Sequence, residues 1–341
     1  MCIIAQQQSI KFKAKIYFNR SLVIQTKMSD NLKAIAVGCV AGIAVYGLYK
    51  YGQQKFLTRK SWQEVGKIGR IFIHPVKACR GIEITEATCT KLYGIKSNAG
   101  VCDRHYVILD ENNSLVSMRQ DRALAFIHPN QSEGGKSLQL DAPGMPTVKF
   151  PLHQAITNDV IHFRLFGRNS TGYNCGDEVS NWLNTYLKTT GHKLVCFTKD
   201  IQTSSSIYQD MALYNLFTEA SLDDLNSRLE KKITARNFRP NFVVQGQELT
   251  AFEEDNWKYI KIGDNVILRK TIRSGRCKQT TVDPETGIVG DEPLKTLKTY
   301  RNVDASHPAY KELAGSPSFG IYMNLEAEGT VAVGDSVYIA N

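Results

Sequence analysis

The chain has 341 residues and lacks the signatures of most familiar chemistries. Its eight cysteines (Cys2, Cys39, Cys79, Cys89, Cys102, Cys175, Cys196, Cys277) include no Cys-x-x-Cys pair and no Cys/His set at zinc-finger spacing, which argues against a structural zinc module. Scattered thiols suit a reducing compartment, where they stay free. The seven histidines form no His-Glu-x-x-His and no pair at helical ligand spacing, so a zinc hydrolase is not indicated. A glycine-rich dinucleotide fingerprint is also missing, and an enzyme built on this chain takes its electrons from elsewhere. Gly135-Lys136-Ser137 imitates the end of a phosphate loop, but Asn130 stands where the first glycine belongs. No internal repeat is visible, and low complexity is confined to Gln6 to Gln8.

The formal charge of +9 is concentrated rather than spread. Residues 1 to 60 hold ten Lys and Arg against one acid, Asp30, and the rest is balanced at 32 basic and 32 acidic residues. A neutral body has no electrostatic footprint for a phosphate polymer, so nucleic acid is not an expected partner. With 42% hydrophobic residues, that body is large enough for one large domain or two ordinary ones.

Between Lys33 and Lys50 the chain carries no charge. As a helix, residues 34–50 span roughly 24 Å, a little under the ~30 Å hydrocarbon core, and the flanking lysines can snorkel to make up the difference. A secretory signal peptide is the rival reading, but no small-residue cleavage site precedes Lys50. A short apolar span with cations on both sides is typical of a signal anchor for the outer mitochondrial membrane, with the body on the cytosolic side. Gly38 and Gly42 have the spacing of a helix-dimer face, although in so Gly-rich and Ala-rich a segment it fits chance as well, and the oligomeric state is open. Residues 1 to 27 read either as a targeting leader or as an extension upstream of a start at Met28.

Beyond a basic linker (51–63) the chain breaks into short β-type segments: 68–76, 105–109 and 114–118 around an Asp110-Glu111-Asn112-Asn113 turn, 137–140, 148–152 and 160–166. Val179, Trp182, Leu183, Tyr186 and Leu187 recur at helical spacing and predict a helix over 177–189. A second helix is expected to begin at Ser221, with Asp224 completing a capping pattern and Leu222, Leu225 and Leu229 turned inward. Strands resume at 241–244, 259–262, 266–270 and 331–339, with turns at Gly263-Asp264 and Gly334-Asp335. Many strands and few helices predict an α+β, mostly β protein containing a barrel.

One residue stands apart chemically. Cys277 lies in Arg273-Ser274-Gly275-Arg276-Cys277-Lys278-Gln279-Thr280-Thr281, with three cations within four positions of its sulfur. Adjacent positive charge favours the thiolate, which attacks electrophiles and ligates soft metals. The following Asp283-Pro284-Glu285-Thr286-Gly287 reads as a turn. The alternative is a buried cysteine whose basic neighbours point to water.

Four segments together carry a resemblance: Pro75-Val76-Lys77-Ala78-Cys79-Arg80-Gly81, Asp103-Arg104, Asn237-Phe238-Arg239-Pro240-Asn241, and Arg276-Cys277 through Gly287. From about Ser61 to the end the chain resembles the molybdenum cofactor sulfurase C-terminal (MOSC) domain family, and within it the amidoxime-reducing branch. The resemblance implies a basic leader (1–33), a transmembrane anchor (34–50), the linker, an N-terminal β-barrel region (64–190) and a MOSC β-barrel domain (191–341). It implies a molybdenum-molybdopterin cofactor, with Cys277 as metal ligand and catalytic residue. Lys77, Arg104, Arg239, Asn241, Arg276 and Tyr322 match cofactor contacts. Where the family often has a serine after the lysine, this chain has Ala78. Where it has hydroxyl residues after an aspartate, this chain has Asp210-Met211-Ala212.

The implied activity is reduction of N-hydroxylated compounds such as amidoximes, hydroxyguanidines and hydroxylamines. Electrons come from cytochrome b5 and its NADH-dependent reductase. A non-catalytic cofactor carrier and a metal-free cysteine nucleophile are the competing readings. The charge-free stretch makes the anchor separable from the body: removing residues 1 to 50 is expected to release a soluble, folded protein that retains cofactor. Fractionation and metal analysis of the truncated chain check it, and a well-expressed truncation that aggregates or holds no cofactor overturns the separation.

Overall fold

The computed structural model describes residues 60–132, 135–152, 159–165, 167–197, 208, 212–302 and 315–341. The anchor expected over 34–50 and the departure at Met211 lie outside these residues. Among the described residues no helix is long and apolar enough to cross a membrane.

Seven strands close into a ring. Starting from Phe242–Gln245, the order runs through Tyr214–Thr218, Ser318–Ala327, Val266–Gly275, Tyr259–Ile262 and Ser336–Ala340 to the long first strand Gln63–Ile73, which pairs back with Phe242–Gln245. All neighbours are antiparallel except Tyr214–Thr218 with Phe242–Gln245, a parallel pair joined through a helical crossover. The first strand holds two partners on one side, Ser336–Ala340 along its start and Ile82–Ile84 along its end.

Alternation along these strands fills the ring. Ile68, Ile71, Leu216, Ile260, Ile262, Leu268, Ile321, Met323 and Val337 are buried in one continuous core. Phe72, Phe217, Val243 and Phe319 belong to a second cluster, where they meet Leu222, Leu225 and Leu229, the expected leucines, together with Phe238 and Leu297. Strands covered on both faces show no polar alternation, which is why Tyr214–Thr218, buried throughout, carries little periodic signal. At Gly320 φ is +73° and a Cβ would stand 2.6 Å from the Leu216 carbonyl oxygen, so only glycine lets the two strands cross there. Residues 86–197 add antiparallel sheets of four strands (Tyr106–Leu109, Lys193–Cys196, Arg168–Asn174, Val160–Leu165) and three strands (His128–Gln131, Ser137–Asp141, Val148–Pro151). Glu86–Thr90 and Gly94–Ser97 form another small sheet with Gly329–Ala332.

Several expectations shift. Residues 114–118 are not a strand: a single bridge joins Leu109 and Leu115 before the chain turns at Ser117. The second helix is Glu219–Ser227, begun one turn's reach earlier by the Thr218 hydroxyl, which accepts from the Ser221 amide; Asp224 is spent instead on Arg228 and Tyr300. The segment 331–339 divides into Gly329–Ala332 and Ser336–Ala340 around the expected Gly334-Asp335 turn. The first helix runs Asp177–Leu187, ending where Lys188 turns left-handed at φ 54°.

Ser221 does a second job. Its hydroxyl and that of Thr218 donate to the carboxyl of Glu254, which is fully buried under the Glu219–Ser227 helix. Burial pushes the Glu254 carboxyl up to about 7, against the lowering effect of the Ser221 bond. The folded state therefore holds this proton more tightly than the unfolded chain, so its stabilising contribution is complete below the unfolded value near 4.5 and is lost as pH rises through about 7. Glu254→Gln is expected to flatten the fall in stability between those pH values, a span on the order of 3 kcal/mol. Denaturation of both proteins at pH 5 and pH 8 reads it.

Candidate functional site

The long first strand delivers the chain into a tight segment, His74 to Gly81, that is tied on two sides. On one side the His74 amide donates to Asp103 Oδ1 at 2.7 Å, the Arg104 amide to the His74 carbonyl at 2.7 Å, and the Lys77 amide to the Tyr106 carbonyl at 2.8 Å. On the other side the Phe72 amide donates to the Asn241 carbonyl at 2.9 Å, and His74 Nε2 lies 3.1 Å from the Pro240 carbonyl. Burial, with Arg239 and Arg104 beside it, holds the His74 imidazole well below its ordinary value, so it is neutral. The bond to Pro240 then places its proton on Nε2.

Three sequence-distant motifs thus converge on one pocket of about 290 Å³. Lys77, Arg104, Arg239, Arg276, Cys277 and Tyr322 all line it. Asn241 does not: its Oδ1 accepts from the Asn215 amide and its Nδ2 donates to the Phe72 carbonyl, so the amide side chain binds the wall together from behind.

The cations are held by backbone oxygens. Lys77 Nζ donates to the Tyr208 carbonyl at 3.0 Å. Arg104 pairs with buried Asp103 and donates to the Arg239 carbonyl at 3.0 Å. Arg239 donates to the Cys79 carbonyl. Arg276 is deeply buried and spreads its guanidinium over the Phe319 and Phe238 carbonyls, at 2.9 Å each, and Asn215 Oδ1 at 3.3 Å. Neutral acceptors fix Lys77, Arg239 and Arg276 without cancelling their charge, whereas Arg104 is also paired with a carboxylate. Six non-glycine residues among those described have positive φ, and three of them, Ala78 (69°), Arg104 (50°) and Arg239 (52°), line this pocket. Left-handed backbone at ordinary residues is costly and concentrates where a site dictates geometry.

Cys277 opens a single 3-10 turn, Lys278–Thr281, and its carbonyl accepts from both the amide and the hydroxyl of Thr280. Thr280 and Thr281 are turn residues, their hydroxyls spent on that turn. Behind it Asp283 Oδ1 accepts from the Glu285 and Thr286 amides, which makes the expected bend. Six free cysteines are described; five are buried and Cys277 is exposed. Among the described residues no three His, Cys, Asp or Glu side chains converge as a metal cage, so a metal at this sulfur needs further donors from a cofactor.

Sequence reasoning missed part of the wall. Arg119, Arg273, Asn215 and Asn237 also line the pocket. Arg273 was visible only as charge near Cys277, and Arg119 had no local motif at all. Among the described residues no Asp or Glu lines the pocket.

The pocket thus sets the exposed thiol of Cys277 among cations held largely by backbone carbonyls, an arrangement chemically suited to an anionic, thiol-bound group. Comparison with known proteins gives the class of fold. The MOSC N-terminal beta barrel domain family matches residues 65–190 and the MOSC domain family residues 204–338. The chain is 38% identical over 324 residues to mitochondrial amidoxime reducing component 2 of Rattus norvegicus, covering 90% of each chain. It is 36% identical over 321 residues to mitochondrial amidoxime-reducing component 1 of Homo sapiens, covering 87% of this chain and 92% of that one. The chain belongs to the mitochondrial amidoxime-reducing component family.

Arg239 gives the sharpest test of the wall. Arg239→Lys keeps the charge but loses the planar fork, so binding of an anionic cofactor is expected to weaken roughly ten- to hundredfold, about 1.5–3 kcal/mol. Pterin and molybdenum content of the purified variant measure it; full occupancy with unchanged activity moves Arg239 to a purely structural role.

Proposed function

We propose that this chain is a molybdenum-cofactor-dependent reductase of N-hydroxylated compounds. The observation that carries this reading is the placement of Cys277, the exposed thiol among the described cysteines, on a pocket wall whose described residues include five Lys and Arg besides Arg276 and no acid. The residues fit the cofactor. A thiolate is a soft donor suited to molybdenum. Lys77, Arg104 and Arg239 supply the fixed cations that a phosphate and a polar ring edge need, and Tyr322 adds a hydroxyl. Arg276 and Asn241 serve from within the wall, holding the 237–241 and 318–319 backbones that carry these groups. At Ala78, where the family often has a serine, there is no side-chain hydroxyl and only backbone groups can bond the cofactor.

When bound, molybdenum supplies Lewis acidity and two-electron redox chemistry. The overall reaction balances as amidoxime plus two electrons and two protons giving amidine and water, with the N–O bond broken. The protein's share is to bind the cofactor, orient the substrate oxygen toward the metal, and bring the reactants together in a confined pocket. With no nicotinamide or flavin fingerprint in the chain, the electrons come from cytochrome b5 and its NADH-dependent reductase. The relatives are named mitochondrial, and the basic-flanked apolar stretch at 34–50 supports a single-pass anchor in the outer membrane with the body in the cytosol.

Cys277→Ser separates this reading from its rivals, because it exchanges a soft donor for a hard, poorly ionised hydroxyl. Turnover of benzamidoxime is expected to collapse while pterin is still held by Lys77, Arg104 and Arg239. Wild-type turnover per molybdenum in the mutant removes Cys277 as ligand. Wild-type protein that carries pterin and metal but reduces nothing identifies a carrier. Inactivation by alkylation in metal-free protein identifies a cysteine nucleophile.

A further inference from the structure

We infer that the pocket prefers N-hydroxylated substrates bearing a negative charge, with Arg119 and Arg273 as the anion-binding pair at its mouth. The inference rests on the reductase reading above and specifies its substrate class.

The pocket cations divide by depth. Arg276 is 6% exposed, Lys77 8% and the Arg104 side chain 13%, and each is bonded to backbone carbonyls or to Asp103. These inner groups suit a resident cofactor. The Arg273 side chain is 29% exposed and Arg119 is exposed, yet both line the same pocket as Cys277.

The outer pair is under-neutralised. Arg273 lies 3.2 Å from Asp255, but Arg301 claims the same carboxylate oxygen at 2.6 Å, so one negative charge serves two guanidiniums. Arg119 makes no ion pair among the described residues. The nearest acid in its own segment, Asp121, is turned away to cap the Arg122–Phe126 turn, its carboxylate accepting from the Ala123 amide at 2.9 Å. The backbone that presents Arg119 is fixed, since buried Ser117 accepts from the Gln120 and Asp121 amides through its carbonyl. Leu115, Ile272 and Tyr322 also line the pocket and give a flat substrate ring apolar contact. A carboxylate on such a ring meets the outer guanidiniums, which match its two oxygens in a fork.

The test compares 4-carboxybenzamidoxime with its methyl ester, which is electronically close but neutral, on the full-length holoenzyme with cytochrome b5 and its reductase. The carboxylate is expected to have a KM about tenfold lower, with the advantage shrinking as salt is raised. The same ratio is read as affinity by calorimetric titration of the oxidised protein without electron donor. Arg119→Gln and Arg273→Gln are each expected to bring the ratio toward one, whatever happens to absolute turnover. Arg273→Lys, which keeps a partner for Asp255, guards against a folding failure and should retain part of the preference. Equal affinity for acid and ester in the wild type overturns the inference, as does a preference that survives both glutamine variants. Variants that leave the ratio alone but raise the cytochrome b5 concentration needed for half-maximal rate also overturn it, and assign these arginines to an acidic redox partner. If neither compound is reduced by molybdenum-loaded protein, the reductase reading fails, while the titration still decides the charge preference.

Discussion

The structure depends on one closure: the pairing of the first strand, Gln63–Ile73, with Phe242–Gln245 and with Ser336–Ala340. It completes a ring that otherwise would be an open sheet with two bare edges. It also fixes where the strand ends, so that His74 to Gly81 emerges against Asn237 to Asn241. The contacts that follow are local consequences: Phe72 on Asn241, His74 on Pro240, Arg239 on Cys79. A pocket assembled from segments more than 160 residues apart exists because one strand spans the seam.

Within that frame the pocket concentrates like charge by an indirect route. Carboxylates fix and neutralise, as Asp103 does for Arg104; carbonyl oxygens fix Arg239 and Arg276 and leave a field. The cost appears in the backbone, where Ala78, Arg104 and Arg239 take left-handed conformations. Several of the carbonyls that hold one cation belong to a segment bearing another: Arg104 grips the carbonyl of Arg239, Arg239 that of Cys79, and Arg276 that of Phe238. The strain and the charge are therefore shared by one network, and neither persists without the ring behind it.

What was legible in the sequence follows from how each part is built. Half-buried strands such as Val160–Leu165 alternate visibly, and the Asp177–Leu187 helix shows its stripe. Ser318–Ala327 was hidden because Pro317 and Gly320 resemble loop punctuation, although Gly320 is there to let a strand cross closely. Arg168–Asn174 is polar enough to read as a loop, and its six-residue register with Val160–Leu165 is what makes it a strand. The segment 114–118 has strand composition but only one bridge to pair with. At the site, local motifs singled out Lys77, Arg104, Arg239, Arg276, Cys277 and Tyr322, which do converge. Asn241 matches a cofactor contact by resemblance, yet its side chain is spent within the wall on the Asn215 amide and the Phe72 carbonyl. Arg119 reaches the pocket by tertiary packing alone, which no local spacing reports.

The seam has a temporal side. The first strand leaves the ribosome long before one of its partners, Ser336–Ala340, has been made. Throughout synthesis that strand must wait with an unsatisfied edge, a non-local pairing that is slow to form and exposed to misassociation. The ring, and with it the alignment of His74 and Arg239, is complete only once Ser336–Ala340 is available. Among the ring's strands Ser336–Ala340 is the last in chain order, and it acts as the latch on that alignment.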